Sequence, residues 1–148
     1  MTDKDYMLLA LEEAKKAYLE DEVPIGAVIV RDGEVLGIGY NKKEGLQDAT
    51  AHAEIMALRA AMEKQGAWRL TGATIYVTIE PCVMCIGALI QARVERLVFG
   101  APDPKFGAVV SLHKLADDER HNHRLSYTGG VLEDESRELM QSFFKAKR

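Results

Sequence analysis

The sequence predicts a three-layer α/β fold around a mixed five-stranded sheet, and two patterns carry that reading. Asp32-Gly33 joins two strand-like runs, Ile25 to Val30 and Glu34 to Tyr40. Both turn residues tolerate positive φ, so a tight hairpin pairs these strands antiparallel. Thr74 to Ile79, Cys82 to Arg93 and Glu95 to Gly100 then read as strand, helix and strand. That is the arrangement of parallel neighbours joined by a crossover helix.

The remaining elements follow in order. Tyr6, Leu9, Ala10, Ala14, Ala17 and Tyr18 recur at helical spacing opposite Glu12, Glu13, Lys15 and Lys16, and this first helix ends before Val23-Pro24. Asn41 to Ala49 is polar and reads as a loop. Ala51 to Gln65 is a helix with Ile55, Met56, Leu58, Ala61 and Met62 on its apolar face, stopped by Gly66. A loop containing Pro102 and Pro104 leads to a short helix near Ser111 to Ala116. Leu125 to Leu132 holds the last strand, interrupted by Gly129-Gly130, and Glu133 to Lys147 is the closing helix. No repeat, linker or low-complexity tract divides the chain, so residues 1–148 are expected to form one domain.

Composition narrows the class. Lys plus Arg is 19 and Asp plus Glu is 23, for a net charge of −4. A protein that coats nucleic acid non-specifically needs a basic surface, so that class is disfavoured while a local basic patch is not. No apolar run of about 18 residues and no basic-then-apolar leader is present, which predicts a cytoplasmic protein without membrane contact. The two cysteines lie three residues apart, and in that setting they point to metal binding or redox chemistry rather than cross-linking.

Two stretches carry the chemistry: Thr50-Ala51-His52-Ala53-Glu54 and Glu80-Pro81-Cys82-Val83-Met84-Cys85. Pro81 fits a helix start, and Cys82 and Cys85 then stand one turn apart on one face. The positive end of that helix favours the thiolates that ligate metal. His52 lies in the first turn of its own helix. An imidazole and two thiolates fill three positions of a tetrahedral zinc and leave the fourth to water. Glu54, two residues from His52, points away from it on a regular helix, so it is free to move the water's protons. The pattern predicts a zinc-dependent hydrolase acting on an amino group. Two other readings share the cysteines. One is a redox C-x-x-C pair; the other is a closed structural site of Cys82, Cys85, His121 and His123, which leaves His52 and Glu54 without a purpose.

His52-Ala53-Glu54 followed by Pro81-Cys82-Val83-Met84-Cys85 resembles the signature of the zinc-dependent nucleoside and nucleobase deaminases, the cytidine/deoxycytidylate deaminase superfamily. Val23 to Val28, Asn41, Thr50 to Arg59, Trp68-Arg69-Leu70, Tyr76 to Glu80, Asp103-Pro104-Lys105, Asn122-His123-Arg124 and Phe143-Phe144-Lys145 are similar to its bacterial tRNA-specific adenosine deaminase family. Phe106 departs from that family, which usually carries a small or polar residue before Gly107. The resemblance implies a cytidine-deaminase-like α/β/α sandwich, a homodimer, and hydrolysis of the wobble adenosine of a tRNA anticodon loop to inosine. It implies one Zn2+ per chain on His52, Cys82 and Cys85, with Glu54 as the catalytic proton shuttle. It further implies that Asn41 hydrogen-bonds the flipped nucleoside, that the Ala53 N–H lies beside the base, and that Asp103 and Asn122 contact adjoining nucleotides. Phe144, Lys145, Lys147 and Arg148 match the aromatic and basic end that meets RNA, read as unpaired bases. A free guanine or cytosine deaminase, and a non-catalytic RNA-binding subunit containing zinc, remain as alternatives.

Overall fold

The computed structural model describes residues 1–147; Arg148, one of the basic residues matched to RNA, lies outside the described residues. Five strands form one sheet: β1 (Gly26–Arg31), β2 (Glu34–Tyr40), β3 (Thr74–Ile79), β4 (Arg96–Ala101) and β5 (Ser126–Thr128). Their order is β2-β1-β3-β4-β5. β1 runs antiparallel to both β2 and β3, whereas β3–β4 and β4–β5 are parallel. The hairpin turn takes the expected form, with φ of 51° at Asp32 and 78° at Gly33.

Alternation along the strands sends successive side chains to opposite faces. Ala27, Ile29, Ile75, Val77, Leu97 and Phe99 face one core, while Val28, Val30, Tyr76 and Val98 face another. The first core is covered by α3 (Ala53–Gln65) and α4 (Val83–Gln91), through Ala57, Leu58, Ala61, Ile86 and Leu89. The second is covered by α1 (Asp3–Leu19), through Tyr6, Met7 and Ala10. Beside α1 lies α5 (Glu133–Ala146), joined to it by the Tyr18–Phe143 ring contact at 5.6 Å and by the Tyr18 hydroxyl and Ser142 at 3.0 Å. The molecule is therefore the three-layer α/β/α sandwich with a mixed sheet that the sequence predicted.

Four expectations need correction. Asn41 to Ala49 contains a short helix, α2 (Lys43–Leu46). Its free N–H groups at Glu44 and Gly45 are taken by the buried carboxylate of Glu22, a capping partner too far away in sequence for a local pattern to reveal. Ser111 to Ala116 is not a helix; only a 3-10 turn at Leu115–Asp117 forms. The Leu112 and His113 N–H groups both go to the Gly107 carbonyl and that of Leu115 goes to Ala108, so the segment bonds back onto the preceding loop instead of building its own ladder. The last strand stops at Thr128, where Gly130 turns its N–H onto Phe99 and Gly100 and a side chain at Gly129 would run into the Phe99 ring. Finally, His52 and Cys82 are not inside their helices. Each is the N-cap residue with extended backbone, and Pro81 sits just before the cap.

Candidate metal centre and active site

α3 and α4 begin side by side on the same face of the sheet, which brings their two cap residues together. The His52 Nδ1 lies 3.6 Å from Cys82 Sγ and 3.5 Å from Cys85 Sγ. All three donor atoms fall within 4.8 Å of one another, and among the described residues this is the one His, Cys and carboxylate cluster compact enough to share an ion. Metal–sulfur bonds of about 2.3 Å and metal–nitrogen bonds of about 2.0 Å at tetrahedral angles set nitrogen and sulfur about 3.5 Å apart. The donor set and its spacing thus fit a tetrahedral metal ion with a position to spare. Both ligand-bearing helix ends are positive ends, which suits anionic sulfur.

The titration of the cluster follows from the same contacts. Hydrogen bonding, first from Cys85 and then from His52, pulls the Cys82 thiol down to about 4. Cys85 moves the opposite way, held protonated chiefly as the donor to Cys82 and further by burial. The hydrogen bond with Cys82 draws His52 above its ordinary value. Burial pushes the Glu54 carboxyl up to about 7, a value suited to passing a proton in either direction near neutral pH. Glu54 is 4% exposed on the first turn of α3 and stands outside the ligand set, beside the Cys85 thiol.

Asn41, at the end of β2, is buried, and its Oδ1 accepts the Ala53 N–H at 2.8 Å. Those two residues are therefore paired with each other at the start of α3, and a cavity of about 590 Å3 opens beside Asn41, lined among others by Glu22, Val23, Lys43, Phe143 and Lys147. Asp103 opens the loop after β4; its Oδ1 accepts the N–H groups of Lys105 and Phe106. Asn122 is exposed in the loop before β5, and Phe144 is an exposed ring on α5 packed edge-on against Phe143. No hydrogen bond or ion pair among the described residues joins Asn122 or Phe144 to the cluster. The alternative closed site does not form: His123 Nε2 is committed to the Val94 carbonyl at 2.7 Å, and neither His121 nor His123 joins the cysteines.

One residue of the site carried no role in the sequence reading. Burial raises the Glu80 carboxyl, but hydrogen bonds from Ser111, Val110, Asp103 and Val109 outweigh it and hold the group below its ordinary value. Its signal in the sequence was a lone acid closing an apolar strand directly before Pro81.

Comparison with known proteins places the chain. The MafB19-like deaminase family matches residues 1–148. The tRNA-specific adenosine deaminase of Bacillus subtilis (strain 168) is 47% identical over 146 residues, spanning 99% of this chain and 91% of that protein. That of Aquifex aeolicus (strain VF5) is 44% identical over 146 residues, 98% of this chain and 96% of that one. This chain is a tRNA-specific adenosine deaminase family member. A structure solved in work on A-to-I editing by tRNA:A34 deaminases at the wobble position shares the family's fold with it, at TM-score 0.88 and 47% identity over 91% of this chain and 98% of that one. The deaminase fold expected from the sequence is accordingly the fold observed.

Proposed function

We propose that the chain is a zinc-dependent hydrolase that converts the wobble adenosine of a tRNA anticodon loop to inosine. The observation that carries the chemistry is the convergence of His52 Nδ1 on both sulfurs beside a buried carboxyl that is not a ligand. The substrate class rests on the activity named for relatives that match almost the whole chain. His52, Cys82 and Cys85 would hold the ion. Bound zinc supplies the Lewis acidity that makes water a nucleophile near neutral pH.

Glu54 then does the proton work. Its carboxylate takes a proton from the water as the oxygen adds to C6, and then delivers that proton to the N6 amino group, so that the C6–N6 bond breaks after the C6–O bond has formed and ammonia leaves. Burial of Glu54 keeps bulk water from competing for that proton. Asn41, fixed by the Ala53 N–H, keeps its amide nitrogen as a donor for the nucleoside. Asp103, Asn122, Phe144, Lys145 and Lys147 contact the nucleotides around the extruded base. Unpaired loop bases suit such local contacts, which is how an acidic protein binds an RNA.

Residues 1–148 act as one cytoplasmic deaminase domain and pair as a homodimer. No helix among the described residues is long and apolar enough to cross a membrane. An apolar groove of about 570 Å3 between α3 and α4, lined by Ile55, Leu58, Met62, exposed Trp68 and Ala88, supports pairing with a second copy. The deciding experiment treats bulk bacterial tRNA lacking this modification with the purified protein and sequences the anticodon loops. Adenosine read as guanosine at the wobble position is expected; unchanged tRNA together with turnover of free guanine or cytosine overturns the assignment.

A further inference from the structure

We propose that Glu80 is a positioning residue, the template that holds the Asp103–Ser111 loop against the entrance of the metal centre. The inference rests on the deaminase reading for its consequence and on hydrogen bonding for its geometry. Glu80 is 3% exposed and, among the described residues, has no ion-pair partner. Backbone N–H groups of one loop surround it instead. Oε1 accepts the Asp103 N–H at 2.9 Å and the Ser111 hydroxyl at 2.5 Å. Oε2 accepts three successive N–H groups, from Val109 at 2.9 Å, Val110 at 2.8 Å and Ser111 at 3.1 Å. Consecutive amides aimed at one anion form a nest, and each bond is strengthened by the charge.

These bonds bracket the loop at both ends, and two more fix its surroundings, one at the end of β4 and one just before the metal-binding helix. Glu80 donates its own N–H to the Ala101 carbonyl, and Ala108 donates to the carbonyl of Pro81, the residue before Cys82. The fit is tight, since a Cβ on Gly107 would stand 2.3–2.5 Å from the Glu80 carboxylate. At Val109 to Ser111 the loop makes no helix or strand, so the carboxylate does there what a regular ladder does elsewhere. It fixes Asp103 and the exposed Phe106 and Val110 on a loop whose Ala108 is tied to Pro81, next to Cys82. A loop ordered in advance spares the RNA the entropy of ordering it on binding.

Glu80→Gln keeps the shape but sets an NH2 donor against the loop's N–H groups. Expected are one zinc per chain, a KM for an anticodon stem-loop raised about tenfold or more, and a kcat within about threefold of the parent. Hydrogen exchange at the Val109, Val110 and Ser111 amides should speed up in parallel. Gly107→Ala presses on the same contact from the loop side and should give the same pattern, with the double variant no worse than either alone. It also carries the test if Glu80→Gln does not fold. Unchanged KM and exchange overturn the proposal, as does loss of zinc or a fall in kcat at unchanged KM, which would make Glu80 a support of the metal instead. If the parent protein does not act on the stem-loop, the functional reading fails, while the exchange comparison still decides whether Glu80 holds the loop.

Discussion

At Glu54 a carboxyl is buried two residues from the histidine of the cluster and yet points to other work. His52 is the extended cap of α3 and Glu54 lies in its first turn, so the imidazole joins both sulfurs in one compact cluster while the carboxyl stands outside it beside Cys85. Glu54→Ala is therefore expected to keep its zinc and its fold while losing about 10²–10⁴-fold in turnover, the usual share of a positioned proton carrier. Metal analysis beside a turnover assay checks this, and near-parental turnover would remove Glu54 from the mechanism. The motif residues were legible because chemistry demands those side chains at those spacings. Glu80 was not, because its partners lie more than twenty residues onward and are backbone amides, which every sequence has.

At the scale of elements, the position of α3 decides where His52 stands, and glycines on β2 set that position. A Cβ at Gly39 would lie 2.6–2.7 Å from the Ala57 nitrogen, the Ala53 carbonyl and the Met56 Cβ; Gly37 meets Ala57 and Ala61 as closely. Helix and strand backbones thus touch almost directly, which glycine alone permits. Gly39→Ala should cost about 1–3 kcal/mol of stability as overpacking and, by tilting α3, weaken zinc binding. Denaturant unfolding and chelator competition measure the two effects; loss of stability without loss of zinc affinity would separate the strand contact from the site. The alternating glycines at 37 and 39 were visible in the sequence, but what they approach was not.

A second element-scale link joins the first residues of α1 to the sheet. Asp3 accepts hydrogen bonds from Arg96 of β4 at 2.7 and 2.9 Å and from the Tyr76 hydroxyl of β3 at 2.8 Å. The Arg96 hydrogen bond, ahead of the Tyr76 bond, holds the Asp3 carboxyl below its ordinary value of 3.8 despite some burial. A carboxyl depressed in the folded state adds stability that is fully present above the unfolded value and vanishes as pH falls through the folded one. Asp3→Asn should therefore melt below the parent at neutral pH, with the gap closing as pH falls below the ordinary value of 3.8. Thermal unfolding across that range checks the sign; a gap that widens in acid would refute it.

At the scale of the whole molecule, the cluster is a clasp between two helices that also share a core. His52 caps α3 and both cysteines belong to the start of α4, so an ion there joins segments that are distant in sequence. A ligand that binds only the folded state stabilises it by about 4 kcal/mol when its free concentration is a thousand times its dissociation constant. Stripping the metal should lower the unfolding midpoint and expose Cys82, the half-buried thiol, to alkylation before Cys85. Calorimetry with mass spectrometry of the labelled cysteines follows both; an unchanged midpoint would mean the ion contributes nothing to the fold.

The sequence by itself determined the order of the strands and the long helices, the hairpin, the parallel crossover and the side chains that converge as candidate metal donors. Those are local matters: side-chain alternation, helical spacing, turn glycines and a short motif each act within a few residues. Only the tertiary structure decided that His52 and Cys82 are caps rather than helical residues, that Glu22 starts α2, and that Glu80 gathers the amides of the loop after β4. The last two turn on hydrogen-bond donors whose acceptor comes from elsewhere in the chain. Local pattern states what a segment prefers; a buried carboxylate arriving from another segment, which must be satisfied or expelled, overrules it.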